Sequence, residues 1–126
     1  MPKIENKWDS LYDPGKQTWF TKLEEKAINW YFSRMFGKTI LSASGVKSGK
    51  IFEPGCGSGM TCVQFAQDGF DITLMDLSPN ALKKALTTFE NFGQSCKFTI
   101  GDLFNLPFSD EEFDVVFNQG VMEHFK

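Results

Sequence analysis

Acidic residues and glycines follow the predicted strands, and their types suit the binding of a small polar ligand. Three glycines at every second position, Gly55, Gly57 and Gly59, come shortly after Glu53 and a short apolar run. Glycine is used where φ must be positive or where backbone must touch a ligand. A glycine turn also leaves the N–H groups at the start of the next helix free to bind. Glu53 would repel a pyrophosphate but suits a ligand that carries hydroxyl and ammonium groups.

Further polar residues stand at the ends of the later strands. Asp76 follows the first glycine by about 20 residues, the spacing at which an acid reaches ribose hydroxyls in doubly wound folds. Asp102 ends the third predicted strand and could accept a hydrogen bond from an adenine amine. Asn118 follows the fourth. Together these residues predict a nucleoside-binding rim.

The elements that must position these residues alternate between strands and helices. Apolar runs predict strands over residues 50–53, 70–76, 96–100 and 113–117. Helical periodicity predicts helices over residues 16–36, stopped by Gly37, and over 60–67, from Ser78 to near Gly93, and from about Gly120. Residues 38–50 are expected to be mostly a connector. This alternation predicts a doubly wound, mostly parallel α/β sheet. The apolar strands are expected to be covered on both faces.

Composition and charge narrow the function classes. The 126 residues suit one domain, with 41% hydrophobic residues and a net charge of −3. No run of Lys or Arg indicates nucleic-acid binding, and no apolar stretch reaches the ~20 residues that would span a membrane. The N-terminus has no apolar leader, so a cytoplasmic location is expected. Three cysteines without a CxxC pair and a single histidine favour reduced, buried thiols and no metal site.

The motifs and their order resemble class I S-adenosylmethionine-dependent methyltransferases of the small-molecule type. The resemblance covers roughly residues 45–126, with a faint likeness to the family's N-terminal cap at residues 8–13. It is carried by Glu53-x-Gly55-x-Gly57-x-Gly59, Asp76, Gly101-Asp102, Leu106-Pro107-Phe108, Phe113-Asp114-Val115-Val116 and Val121-Met122-Glu123-His124-Phe125. The implied division is an N-terminal helical cap over residues 1–44 and a Rossmann-like cofactor-binding core over residues 45–126.

The resemblance implies S-adenosylmethionine as cofactor and a role for each matching residue. Glu53 would lie near the ammonium group of the cofactor, and Asp76 would bind its ribose diol. No catalytic residue is identified: His124 and Tyr12 are more typical of packing than of a base or a lid. The cofactor-binding set implied by the family is Glu53, Gly55, Cys56, Gly57, Gly59, Asp76, Leu77, Asp102, Leu103 and Asn118.

Several alternatives stay open. A nicotinamide dinucleotide domain would need its third glycine at position 60, where Met60 stands, and no P-loop pattern is present. The family fold has seven strands and only four are predicted, so the chain could be a cofactor-binding but catalytically incomplete fragment or module. An unfinished sheet edge would favour a homo-oligomer. The acceptor is expected to be a small molecule, and its methylated atom is not specified.

Overall fold

The computed structural model describes residues 19–120, with side chains described from residue 26. Within them, strands and helices alternate in the predicted order. The elements are α1 (Trp19–Ser44), β1 (Lys50–Pro54), α2 (Met60–Gln67), β2 (Asp71–Asp76), α3 (Pro79–Asn91), β3 (Lys97–Ile100) and β4 (Val115–Val116). The helix predicted from about Gly120 lies outside this range.

The four described strands form one sheet in the order β3-β2-β1-β4. Every pairing is parallel, which confirms the predicted parallel sheet. The two central strands, β1 and β2, are therefore the buried ones. In this arrangement the carboxyl ends of all four strands meet at a single edge, where the glycine turn begins.

One face of the sheet carries the helices. Ile51 pairs in register with Ile72 on one side and with Val115 on the other, so the three side chains point to the same face. They pack into a core with buried residues of α2 and α3, and α1 adds partly buried apolar side chains. This packing fixes where α2 starts relative to the end of β1.

The opposite face is covered differently. Phe52 is buried beneath Phe108 and Phe113, whose ring centroids lie 4.8 and 4.9 Å from its own. The expectation of cover on both faces was wrong for β3. Phe98 is in register with Leu74, so Phe98 and Ile100 stand on the face that carries the helices, yet they are 53% and 61% exposed because β3 is an edge strand of the described sheet.

The first helix runs further than predicted. Gly37 was expected to stop it, but α1 continues to Ser44, so the predicted connector is partly helical. Gly37 is buried, and a Cβ built on it would lie 3.1 Å from the ring of Phe65. The glycine therefore permits close contact between α1 and α2 rather than ending the helix. The side-chain amide of Gln64 also donates to the carbonyl of Trp30 at 3.4 Å, which links the same two helices.

The fourth strand is shorter than predicted because the residues before it make other contacts. Asp114 accepts a hydrogen bond from the Lys50 N–H at 2.7 Å through its carboxylate, and its own N–H donates to the Lys50 carbonyl at 2.9 Å. Phe113 packs on Phe52 instead of extending the strand. Asp114 thus joins the amino ends of β1 and β4. In the described part of the chain, no helix has the length and apolarity needed to cross a membrane.

Candidate functional site

The glycine turn adopts a conformation that only glycine takes easily. Gly55, Gly57 and Gly59 have φ values of 67°, 53° and 68°, in the left-handed region. The N–H groups of Gly55 and Cys56 both donate to the carbonyl of Met75, at 2.7 and 3.2 Å. These bonds hold the turn against the end of β2 and leave its outer backbone facing a cavity.

Asp76 connects the glycine turn to the start of α3. Its Oδ2 accepts from the Gly57 N–H at 3.1 Å, and its Oδ1 accepts from the Ser78 N–H at 2.9 Å. The Ser78 hydroxyl in turn accepts from the Ala81 N–H at 3.1 Å, so Ser78 caps α3 as predicted. Each carboxylate oxygen of Asp76 has two lone pairs and accepts a hydrogen bond from one of these N–H groups. One lone pair on each oxygen is therefore left to accept a hydrogen bond from a ligand hydroxyl.

A polar cavity of about 160 Å³ opens beside the turn, with room for several water molecules. It collects residues from α1, the end of β1, the turn, the start of α2 and the segment after β4. Four members of the predicted set line it, together with five residues outside that set. The lining residues are Ser33, Glu53, Gly55, Cys56, Gly57, Ser58, Met60, Thr61 and Gln119.

Glu53 is the most unusual group in this cavity. Its side chain is only 4% exposed, and within the described structure its Oε2 has no hydrogen-bond partner. Burial raises the pKa of the carboxyl from 4.5 to about 8, the negative charge of Asp76 adds to the rise, and a hydrogen bond from the Cys62 thiol partly opposes it. A buried acid with an unused oxygen is suited to a cationic, hydrogen-bonding ligand group.

The three cysteines are free thiols, as predicted, and two of them are buried. Burial raises the pKa of Cys56 and of Cys62 well above that of an ordinary thiol, and raises the pKa of the half-buried Cys96 to about 11. A thiol must be deprotonated to act as a nucleophile. The cysteines at this site are therefore packing and hydrogen-bonding groups at neutral pH.

The other predicted residues lie along the same edge of the sheet. The Gly101 N–H donates to the carbonyl of Asp76 at 3.1 Å, which brings the end of β3 beside the end of β2. Asp102 is half-buried, and its Oδ1 accepts from the Phe104 N–H at 3.0 Å, so its carboxylate is held in a turn. Leu77, Leu103 and Asn118 are half-buried next to these strand ends.

Gly59 has a different environment from the other two glycines of the turn. It is buried, and a Cβ built on it would lie 3.2 Å from Ala85 and 3.4 Å from Phe89, both on α3. Its small size lets the turn pack on α3. Contact between Gly59 and a cofactor stays a prediction.

Sequence reasoning left five lining residues out of the predicted set. Ser58, Met60 and Thr61 belong to the turn or the first residues of α2, so the glycine motif itself could have indicated them. Gln119 directly follows Asn118 and had the same positional signal. Ser33 had none, because α1 reaches the cavity only through its packing on α2. Tyr12 and His124 lie outside the described residues.

Comparison with known proteins identifies the family. The methyltransferase domain family matches residues 52–126, more than half of the chain. Norajmaline N-methyltransferase of Rauvolfia serpentina is 29% identical over 119 residues, which is 92% of this chain and 41% of that protein. An uncharacterized methyltransferase of Bacillus subtilis (strain 168), YodH, is 31% identical over 88 residues, 69% of this chain and 38% of that protein. The chain thus spans about two fifths of the length of these curated relatives.

Solved structures show the same fold. A magnesium protoporphyrin IX methyltransferase from Synechocystis PCC 6803, with bound SAH, has a TM-score of 0.66 at 22% identity, over 95% of this chain and 54% of that one. A putative S-adenosylmethionine-dependent methyltransferase from Methanococcus maripaludis has a TM-score of 0.75 at 20% identity, over 81% of this chain and 48% of that one. This chain belongs to the methyltransferase domain family, in the class I S-adenosylmethionine-dependent group. The family indicates S-adenosylmethionine as the cofactor.

Proposed function

We propose that this chain binds S-adenosylmethionine at the carboxyl edge of its sheet and forms the cofactor-binding part of an enzyme that methylates a small molecule. The observation that carries the proposal is the polar cavity lined by the glycine turn and by Glu53, a buried acid whose Oε2 has no hydrogen-bond partner among the described residues. An ammonium group suits this carboxyl, because a buried acid needs a donor or a positive charge.

The methionine end of the cofactor would occupy the cavity. Glu53 would bind its ammonium group, and the backbone of Gly55, Cys56 and Gly57 would contact it closely. The first N–H groups of α2 have no side-chain cap, since Gly59 occupies the N-cap position. They suit the carboxylate of the same ligand. Asn118 would contribute through its backbone at the far side.

The nucleoside end would lie along the ends of β2 and β3. Asp76 would accept hydrogen bonds from the ribose diol with the lone pairs that Gly57 and Ser78 leave free. Leu77 would flank the adenine, and Asp102 and Leu103 would contact its edge. Gly59 would act indirectly, by letting the turn pack close to α3.

S-adenosylmethionine supplies a methyl group on a sulfonium sulfur, which an acceptor nucleophile displaces in line. The contribution of the chain would be to orient the bound groups and to exclude water from them. Cys56 is an unsuitable competing nucleophile, because its raised pKa keeps the thiol protonated. A small-molecule acceptor is supported by the name of the Rauvolfia relative, which acts on norajmaline.

The rest of the proposal concerns organisation. Residues 1–44 would form a helical cap and residues 45–126 the cofactor-binding core, in keeping with the end of α1 at Ser44.

The three free cysteines support a reducing, cytoplasmic compartment. The half-exposed Val116 on the edge strand β4 supports a homo-oligomer formed through that edge. Binding of nucleic acid is not expected.

A second candidate is a cofactor-binding module that transfers no methyl group by itself. It keeps the alternative expected from the sequence, because the described residues supply four strands of the sheet. Such a module would need further strands or a partner chain to hold an acceptor.

Calorimetry with S-adenosylhomocysteine tests the proposed function. Asp76→Asn is expected to weaken binding at least about tenfold, because a charge-assisted hydrogen bond to a ligand contributes roughly 1.5–3 kcal/mol. Asp71→Asn is the matched control, since Asp71 lies on the same strand at its opposite end and should leave binding unchanged. Absence of binding by the unaltered chain would refute the proposal. Binding without transfer from labelled S-adenosylmethionine to any compound of a metabolite extract would favour the module.

A further inference from the structure

Among the described residues that line the cavity, none carries a positive charge that could balance a negative charge on Glu53. Glu53 stands near the end of β1, is almost fully buried, and has one carboxyl oxygen without a partner among the described residues. The described residues that line the cavity include no lysine, arginine or histidine. An ionised carboxylate in such a place would be poorly solvated, and the structure offers it little compensation.

The titratable groups that face Glu53 come from three elements. The Cys62 thiol on α2 lies beside the Glu53 carboxyl and acts to lower its pKa as a hydrogen-bond donor, Asp76 at the end of β2 acts on it as a like charge, and Cys56 lies beside it in the turn. From α1 and from the segment after β4, the cavity receives only the neutral side chains of Ser33 and Gln119. None of these groups favours the charged form of Glu53 except the Cys62 thiol, by its hydrogen bond.

We propose that the Glu53 carboxyl is protonated while the cavity is empty and releases its proton to solvent when the ammonium group of S-adenosylmethionine or S-adenosylhomocysteine binds. The O–H bond of the carboxyl breaks, the proton passes to the buffer, and the carboxylate pairs with the ammonium; no electrons are transferred. The inference rests on the proposed function and adds to it that cofactor binding is coupled to pH. The pKa of about 8 in the free site agrees with the geometry.

This coupling gives the affinity a definite pH dependence. Below the pKa of the free carboxyl, each fall of one pH unit makes the ionised form about tenfold rarer, so affinity should fall about tenfold between pH 7 and pH 6. About one proton should be released per ligand bound in that range. The amino group of the ligand is protonated at pH 6.5, because α-amino groups titrate near pH 8, so the released proton comes from the protein.

The experiment is a titration with S-adenosylhomocysteine at pH 6.5 in two buffers of different ionisation enthalpy, such as phosphate and Tris-type amine buffers. The difference between the two binding enthalpies gives the number of protons released, and we expect a number near one. Glu53→Gln keeps the size of the side chain but has no proton to lose, so it should bind more weakly, with no buffer dependence and no pH dependence between pH 6 and 7.

The outcomes separate this inference from the proposed function. Binding with the same enthalpy in both buffers would overturn the proton release and leave cofactor binding standing. No binding in any buffer between pH 6 and 8.5, checked by the thermal shift of the protein, would overturn both.

Cys62 is a positioning residue in this scheme, because it acts on the ligand only through Glu53. Cys62→Ala removes the hydrogen bond and should move the rise in affinity to higher pH. Cys62→Ser restores a donor and should return the profile toward that of the unaltered protein. A purely structural role would lower the affinity of both variants equally at every pH, and that result would overturn the assignment of Cys62.

Discussion

Replacing Glu53 with glutamine should stabilise the ligand-free domain by an amount that grows with pH. The pKa of this carboxyl is raised from 4.5 to about 8 by folding. Between these two values the folded chain holds a proton that the unfolded chain has released. The favourable contribution of the protonated carboxyl is therefore complete below pH 4.5, and it is lost progressively as the pH rises through about 8.

The size of the effect follows from the two pKa values. One unit of pKa corresponds to about 1.4 kcal/mol, so the free energy of unfolding should fall by about that amount per pH unit in this window. Over the whole window the loss approaches about 5 kcal/mol as an upper limit, because water that enters the cavity solvates part of the charge. Domains of this kind are typically stable by about 5–15 kcal/mol, so the effect is large enough to measure.

Urea unfolding followed by far-ultraviolet circular dichroism at pH 5, 6, 7, 8 and 9 would measure the difference. The stability of Glu53→Gln minus that of the unaltered chain should rise by about 1.4 kcal/mol per pH unit up to pH 8 and then level off. Glu90→Gln is the control, because it makes the same substitution at an exposed carboxyl on α3 that does not line the cavity. A difference for Glu53→Gln that stays constant from pH 5 to 9 would refute the reasoning.

Two further predictions concern the backbone and the sheet edge. Gly49→Ala should destabilise the domain by about 3 kcal/mol or more in urea unfolding, since φ is +126° and a Cβ would overlap the Asp114 carboxylate. Gly45→Ala, with φ of +68° and no described atom other than those of its chain neighbours within 4 Å of the new Cβ, should cost only about 1–2 kcal/mol. Equal costs would contradict the overlap. In sedimentation velocity the chain should self-associate and Val116→Lys should weaken this, because Val116 is 59% exposed on β4; a monomer at every concentration would argue against the homo-oligomer.

The sequence by itself determined the order of the elements and the position of the turn. Both depend on local physical requirements: apolar runs must pair as buried strands, and three glycines at every second position permit a positive φ at each of them. The cap of α3 was predictable for the same reason, since Ser78 and Pro79 act within one helical turn. Alternation of strands and helices then brought the strand ends to one edge.

Tertiary packing decided what local signals could not. Gly37 has the local signal of a helix stop, yet α1 continues through it. A residue without a side chain is needed there because the ring of Phe65 packs directly against this position. Gly59 belongs to the ligand motif by spacing, but its immediate contacts are on α3. Ser33 reaches the cavity only because α1 packs on α2. Each of these depends on contacts between residues far apart in the chain.

The protonation of Glu53 is the clearest case of this division. Its position ahead of the glycines can be read from the sequence, and that position predicts a role beside a ligand ammonium group. Its charge state depends on burial, on Asp76 at the end of the neighbouring strand β2, and on the Cys62 thiol on α2. These groups come together only in the folded domain, so only the tertiary structure decides whether the acid meets its ligand as a carboxylate or as a neutral carboxyl.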